Sequence, residues 1–253
     1  MVRGFYTAAT GMMVQRDRMD TLTNNITNAD TMGYKQDTVV TSAFTKVMLS
    51  RINDPSVSVL GGTQVGGYDY GTRVDKEYTD FSKGNFESTG KSTDLAITGN
   101  GFFAVNTAAG ERYTKAGNFS VDSGGYLVTE DGNYVLGENG KINVGTSDFT
   151  VSKNGTVAVG GRTVDTLRLE TFDDLTVLRK QGNNLYYAYG GAAPVAAKDA
   201  AVKQGMLEGS NVDVATEMVD MLSLYRKYEA SQKMVSMTDN SLELTVNLGK
   251  LGG

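Results

Sequence analysis

Glycine is spread so unevenly along this chain of 253 residues that it separates segments able to form long helices from segments that cannot. Gly11 and Gly33 bracket one glycine-free stretch, Gly209 and Gly249 bracket a longer one, and 24 of the 31 glycines lie between Gly33 and Gly209. Both prolines, Pro55 and Pro194, also fall in that middle region. Glycine and proline disfavour helix interiors and mark turns, so the ends read as helices and the middle as turn-rich β-structure.

Periodicity agrees with that division. Phe5, Ala8, Met12, Gln15, Met19, Leu22 and Ile26 recur at alternating spacings of three and four, the heptad seam of a helix that packs on another helix. Val214, Met218, Met221, Tyr225, Tyr228, Gln232, Val235, Asp239, Leu242 and Val246 repeat the pattern near the other end. Asp213 is placed to cap that second helix, with Glu217 in its favourable first turn. At 1.5 Å per residue the two helices should run about 40 and about 50 Å, and neither can bury its stripe alone. The middle instead carries Asp131-Gly132, Asn139-Gly140 and Asn154-Gly155, strong hairpin signals, between short alternating runs such as Ile142/Val144, Phe149/Val151 and Val157/Val159. The expected fold is α+β. Long N- and C-terminal helices pair as a coiled-coil stalk, and a central antiparallel β domain lies between them in the sequence.

Composition removes most chemistry. There is no Cys, His or Trp, which excludes disulfides, thiolate or imidazole metal sites and imidazole-based catalytic triads. A net charge of −5, without a basic cluster, argues against a nucleic-acid surface. No apolar run resembles a secretory signal or a membrane span, so export, if it occurs, is expected by another route.

Four local patterns have competing readings. Residues 85–92, Asn-Phe-Glu-Ser-Thr-Gly-Lys-Ser, imitate a phosphate-binding loop, but Asn85 stands where the first glycine belongs and Asp94-Leu95-Ala96-Ile97 reads as a strand, not a helix. Asp173-Asp174 and Glu130-Asp131 are the only candidates for paired-carboxylate catalysis, yet both lie at expected turns, where acids act as turn formers. Methionines at 12, 13, 19, 218, 221, 234 and 237 are either core filler or an adaptable surface for several different neighbours. Asn24, Asn25 and Asn28, followed by Gly33, either end a helix or offer amides to neighbouring subunits.

Three blocks in order carry a resemblance. Tyr6-Thr7-Ala8-Ala9-Thr10-Gly11-Met12, Asn24-Asn25-Ile26-Thr27-Asn28 and Thr31-Met32-Gly33-Tyr34-Lys35 form the first; Thr27 and Ile26 replace the commoner Ala and Leu. Gly84-Asn85-Phe86, Asp94-Leu95-Ala96-Ile97, Gly101-Phe102-Phe103 and Gly117-Asn118-Phe119 form the second. Leu207-Glu208-Gly209-Ser210-Asn211-Val212-Asp213 through Glu217-Met218-Val219, with Asn247-Leu248-Gly249, forms the third. Together they resemble bacterial flagellar basal-body rod proteins, the distal-rod protein or its larger proximal-rod relative, which are related to the hook protein.

That resemblance implies a structural subunit of the rod, or drive shaft, that transmits torque from motor to hook. Such a subunit is not an enzyme and has no cofactor, no metal, no nucleic-acid partner and no small-molecule substrate. Its expected partners are further copies in a helical polymer, other rod and hook proteins and the flagellar type III export apparatus. Its expected place is the basal body within the cell envelope, without a membrane span or cleavable signal. The rival reading is an exported adhesin-like β-binding module on an oligomerising helical stalk. Expected segments are 1–33 (assembly helix), 34–83 (extended or β linker region), 84–190 (β domain), 191–209 (linker) and 210–253 (assembly helix). Phe5, Met12, Met19, Leu22 and Ile26 would pack with Met218, Met221, Tyr225, Tyr228 and Val235, while Asn24, Asn25, Asn28, Asn211 and Asp213 would set polar register between subunits.

Overall fold

The computed structural model describes residues 2–51 and 63–251; Met1, Pro55 with the rest of 52–62, and the last two glycines lie outside them. The chain forms two compact units. A helical unit comprises Met1–Ile26, Asp37–Tyr78 and Val214–Gly253, and a β unit comprises Thr27–Gln36 and Thr79–Asp213.

The helical unit holds the two long helices, α1 (Val2–Thr27, 26 residues) and α2 (Val214–Leu251, 38 residues). Strands Asp37–Ala43 and Thr72–Thr79 pair with each other, and Val47–Arg51 pairs antiparallel with Thr63–Tyr68. Val14 and Thr10 are the buried positions of the central part of α1. Thr10 lies against Gly71, and Thr7 Oγ1 donates to the Tyr70 carbonyl at 3.4 Å.

Along α2 the less exposed positions are Val214, Glu217, Met221, Leu224, Tyr228, Ser231, Val235, Thr238 and Leu242, at strictly alternating spacings of three and four. This stripe shares Val214, Met221, Tyr228, Val235 and Leu242 with the seam read from the sequence. It departs at the alternate positions, where Met218 and Tyr225 are 52% and 55% exposed. Apolar residues occupy adjacent rows of this helix, as at Leu224-Tyr225, so spacing alone cannot choose between rows one residue apart.

The β unit is built on an antiparallel sheet ordered Leu178–Gly182, Leu185–Ala188, Gly110–Thr114, Phe102–Thr107, Tyr134–Gly137, Leu127–Val128 and Ser120–Val121. Strand Phe102–Thr107 shows why it is buried on both faces. Phe103 and Val105 enter one core with Leu95, Phe119, Leu127 and Val135, while Phe102 and Ala104 enter another with Tyr113, Phe172 and Tyr186. Alternation across the pleat sends successive side chains to opposite faces. Each expected hairpin forms: Leu127–Val128 pairs with Tyr134–Gly137, Gly137 with Gly140, and Thr150–Val151 with Thr156–Val159.

The stretch 191–209 is not a linker. Val195–Ala196, Ala201–Gln204 and Met206–Glu208 are strands that pair with Leu169–Thr171, Leu95–Thr98 and Phe86–Ser88. Val202 and Leu207 are buried there. Its Ala-rich composition disguises this: small side chains carry little hydrophobic signal, yet they fit closely, as Ala200 does against Gly101.

Candidate assembly interface

The imitation phosphate loop is a strand–turn–strand, Phe86–Ser88 followed by Leu95–Thr98. No helix follows whose N-terminal amides could face a phosphate. The acidic pairs act locally. The Thr176 side chain, with its amide at 2.8 Å from Asp174 Oδ1, holds the Asp174 carboxyl below the usual range, and Glu130 and Asp131 accept from Asn118 and Asn183. Among the described residues no group of three metal-ligating side chains occurs, and no helix is long and apolar enough to cross a membrane.

Buried polar contacts of a different kind occur in each unit, one of them between the end of α1 and the start of α2. In the helical unit Asn25 is fully buried at the end of α1. Its amide nitrogen donates to the Asp37 carbonyl at 2.9 Å and to Glu217 Oε2 at 3.2 Å, and its carbonyl oxygen accepts from the Asp37 amide at 3.0 Å. One side chain thus ties the last turn of α1 to the first turn of α2 and to the strand that follows α1. Removing it strands buried partners, so Asn25→Ala should destabilise the helical unit by about 1–2 kcal/mol, read from chemical unfolding. An unchanged midpoint would refute that role.

In the β unit a second cluster joins the segment after α1 to the segment before α2. The Lys35 ammonium is 2.6 Å from both Glu208 Oε1 and the Ser82 carbonyl, and both charged side chains are sealed from solvent. Gly84 donates its amide to the same Glu208 oxygen at 3.1 Å, and Gly33 donates to the Glu208 carbonyl at 2.7 Å. Asn211 accepts from the Gln36 amide at 2.8 Å and donates to the Asp80 carbonyl and Ser82 Oγ, both at 2.9 Å.

Close backbone approach requires glycine here. Gly33 has φ +69 and a Cβ on it would strike the Ala116 backbone; a Cβ on Gly84 would strike the Gly209 carbonyl. Gly33→Ala should therefore cost about 1–3 kcal/mol in urea unfolding of the β unit, and a neutral result would show that the 27–36 segment can detach freely.

The remaining sequence-predicted residues divide by exposure. Met12, Met19, Leu22, Ile26, Met221, Tyr228 and Val235 are half-buried, whereas Phe5 (41%), Met218 (52%) and Tyr225 (55%) stand open. Asn24 and Asp213 are exposed, and the Asn28 carbonyl oxygen accepts from Thr31 Oγ1 at 3.2 Å. Of the ten described methionines none is in the buried core; on the helices Met12, Met19 and Met221 are half-buried and Met13, Met218, Met234 and Met237 are exposed. Lys35, Glu208 and Gly84 belong to the motif blocks, but sequence reasoning gave them no role. The usable signal was a charge beside apolar or aromatic neighbours, Tyr34-Lys35 and Leu207-Glu208, in segments that are not helical.

Three family models match the chain in the order of these structural parts. Residues 5–35 match the flagella basal body rod protein family, residues 96–159 the D1 domain of the flagellar hook proteins FlgE/F/G, and residues 203–248 the C-terminal part of the flagellar basal body rod FlgEFG proteins. The flagellar hook-basal body complex protein FlhO of Bacillus subtilis is 35% identical over 99% of this chain and all of its own length. FlgF of Caulobacter vibrioides is 35% identical, covering 97% of this chain and 96% of the relative. FlgG of Bacillus subtilis is 33% identical, covering 98% and 99%. The chain belongs to the flagellar basal-body rod and hook protein family. It is a structural rod-family protein of the flagellum, not an enzyme. Relatives named FlgF and FlgG match at similar identity.

Proposed function

We propose that this rod-family protein polymerises helically through α1 and α2, with other rod and hook proteins as neighbours. It is exported through the flagellar type III apparatus, occupies the cell-envelope part of the basal body and transmits torque. One observation carries the assembly reading. Met218, Val219, Leu222, Tyr225, Met234 and Met237 on α2 are each more than half exposed, an apolar surface beyond what one chain covers.

The pairing of α1 with α2 as an antiparallel coiled coil has separate support. Asn25 near the end of α1 bonds Glu217 in the first turn of α2, so the helices start from a common point and run in opposite chain directions. From Asn25 back to Val2, α1 spans about 35 Å. The half-buried stripe on α2 extends about the same distance from Glu217, to Leu242, and beyond it Leu244 and Val246 are 64% and 57% exposed. The stripe ends where α1 would run out. In this arrangement Met12, Met19, Leu22 and Ile26 face Met221, Tyr228 and Val235 within a subunit. Phe5, Met218 and Tyr225 then meet neighbouring subunits, and Asn24, Asn28 and Asp213 supply polar register there. Asn25 and Asn211 instead hold the roots of the helices inside each chain, because their amides are engaged internally.

Hydrogen exchange on monomer and polymer tests the proposal. Faster exchange across residues 1–30 and 211–249 than across the β unit in the monomer, with strong protection after assembly, is the expected pattern. Equal protection in a stable monomer or closed oligomer would overturn it. Met218→Asp and Tyr225→Asp should each abolish polymerisation in a sedimentation assay, and intact polymers would refute their placement at the subunit contact.

A further inference from the structure

We propose that the exposed methionines of the two terminal helices are a site of reversible oxidation, and that their sulfoxides hold an unassembled subunit in a form that cannot polymerise. This rests on the assembly reading above. The chain has no Cys, His or Trp, so thioether sulfur is its most readily oxidised side-chain group. Met13 (61% exposed), Met218 (52%), Met234 (59%) and Met237 (64%) present that sulfur to solvent on α1 and α2. The β-unit cores, by contrast, are built from Val, Leu, Ile, Phe, Tyr and Ala without a methionine. Met48 (57%), on strand Val47–Arg51 of the helical unit, is exposed as well, while Met32 and Met206 of the β unit are half-buried, so oxidation falls mainly on the helical unit and leaves the β-unit cores without a target.

The chemistry balances with a peroxide as oxidant. A sulfur lone pair attacks one peroxide oxygen, the O–O bond breaks, sulfur is oxidised by two electrons, and hydrogen peroxide leaves as water. A thiol-dependent sulfoxide reductase reverses this, with two reductase thiols supplying the electrons and the oxygen departing as water. The product is a polar, chiral side chain where a flexible apolar one would pack against a neighbour. Met234 and Met237 lie three residues apart, so their sulfoxides would place two dipoles on one face of α2.

The test treats full-length monomer with hydrogen peroxide, maps sulfoxides by peptide mass spectrometry, and follows polymerisation by light scattering before and after methionine sulfoxide reductase. The expected result is modification at Met13, Met48, Met218, Met234 and Met237, assembly slowed by about tenfold or more through the four helix positions, an unchanged melting transition of the β unit, and recovery with the reductase. The variant combining Met13→Leu, Met218→Leu, Met234→Leu and Met237→Leu should lose little assembly on oxidation relative to its own untreated sample. Equal assembly of mapped, oxidised wild type, failure of the reductase to restore it, or an equal oxidative loss in the variant would each overturn the switch. Failure of untreated wild type to polymerise under any condition would instead overturn the assembly reading beneath it.

Discussion

Glu208→Leu should lower the stability of the β unit by about 3–5 kcal/mol, while Lys35→Met/Glu208→Leu should recover most of that loss. The ammonium of Lys35 has no solvent access, and Glu208 Oε1 and the Ser82 carbonyl are its hydrogen-bond partners, each at 2.6 Å. Removing the carboxylate leaves a charge that can neither reach water nor find a counterion. Removing both charges together leaves a pocket that Met and Leu can fill. The double variant still loses the acceptor for the Gly84 amide, so its recovery should stop about 1–2 kcal/mol short. Urea unfolding followed by tyrosine fluorescence suits a chain with 13 Tyr and no Trp. If the two single substitutions add without coupling, the pair is not what holds these segments together.

Lys115→Met should act in the opposite direction, stabilising the β unit at neutral pH by about 2 kcal/mol. Lys115 is 5% exposed, and burial, more than the nearby Lys35 and Lys83 charges, pulls its ammonium down to about 8 against the opposing pull of Glu208. The unfolded chain keeps this proton to about pH 10.5, so between about pH 8 and that value it binds more protons than the folded chain. Stability from this group therefore rises with pH across that window; below pH 8 both states are protonated and the full cost, about 3 kcal/mol, is present. The Lys115 bond to the Gly99 carbonyl at 3.2 Å offsets part of what its removal relieves, hence the smaller net value. Unfolding free energies at pH 7 and pH 10 check both statements. Wild type should gain on the variant as pH rises, and parallel profiles would mean that Lys115 titrates as in water.

Much of this was legible because local rules and tertiary need coincide. The hairpins at Asp131-Gly132, Asn139-Gly140 and Asn154-Gly155 form because each places glycine beside a residue that tolerates a turn, whatever packs on top. The row read on α1 through Ala8, Met12, Met19, Leu22 and Ile26 is half-buried, but the buried positions Thr10, Val14 and Asn25 lie on another row, whose polar residues carry no apolar signal in the sequence. On α2 apolar residues fill neighbouring rows, and the seam was read one residue off at every second position. The strands within 191–209 were hidden because Ala200 and Ala201 gain their contacts from closeness of fit and not from hydrophobic bulk.

By itself, then, the sequence determined the elements and their order: glycine-poor ends become helices, a glycine-rich middle becomes antiparallel strands, and the motif blocks name a flagellar rod lineage. These follow from backbone propensity and spacing within short windows, which each segment carries with it. Only the tertiary structure decided which polar groups are sealed inside. Lys35 and Glu208 are 173 residues apart, and Asn25 and Glu217 are 192 apart. Apolar neighbours hint that Lys35 and Glu208 are buried, but no local pattern pairs either couple, because a charge or an amide becomes a buried staple only when the fold withdraws water from it and brings its partners within hydrogen-bond reach.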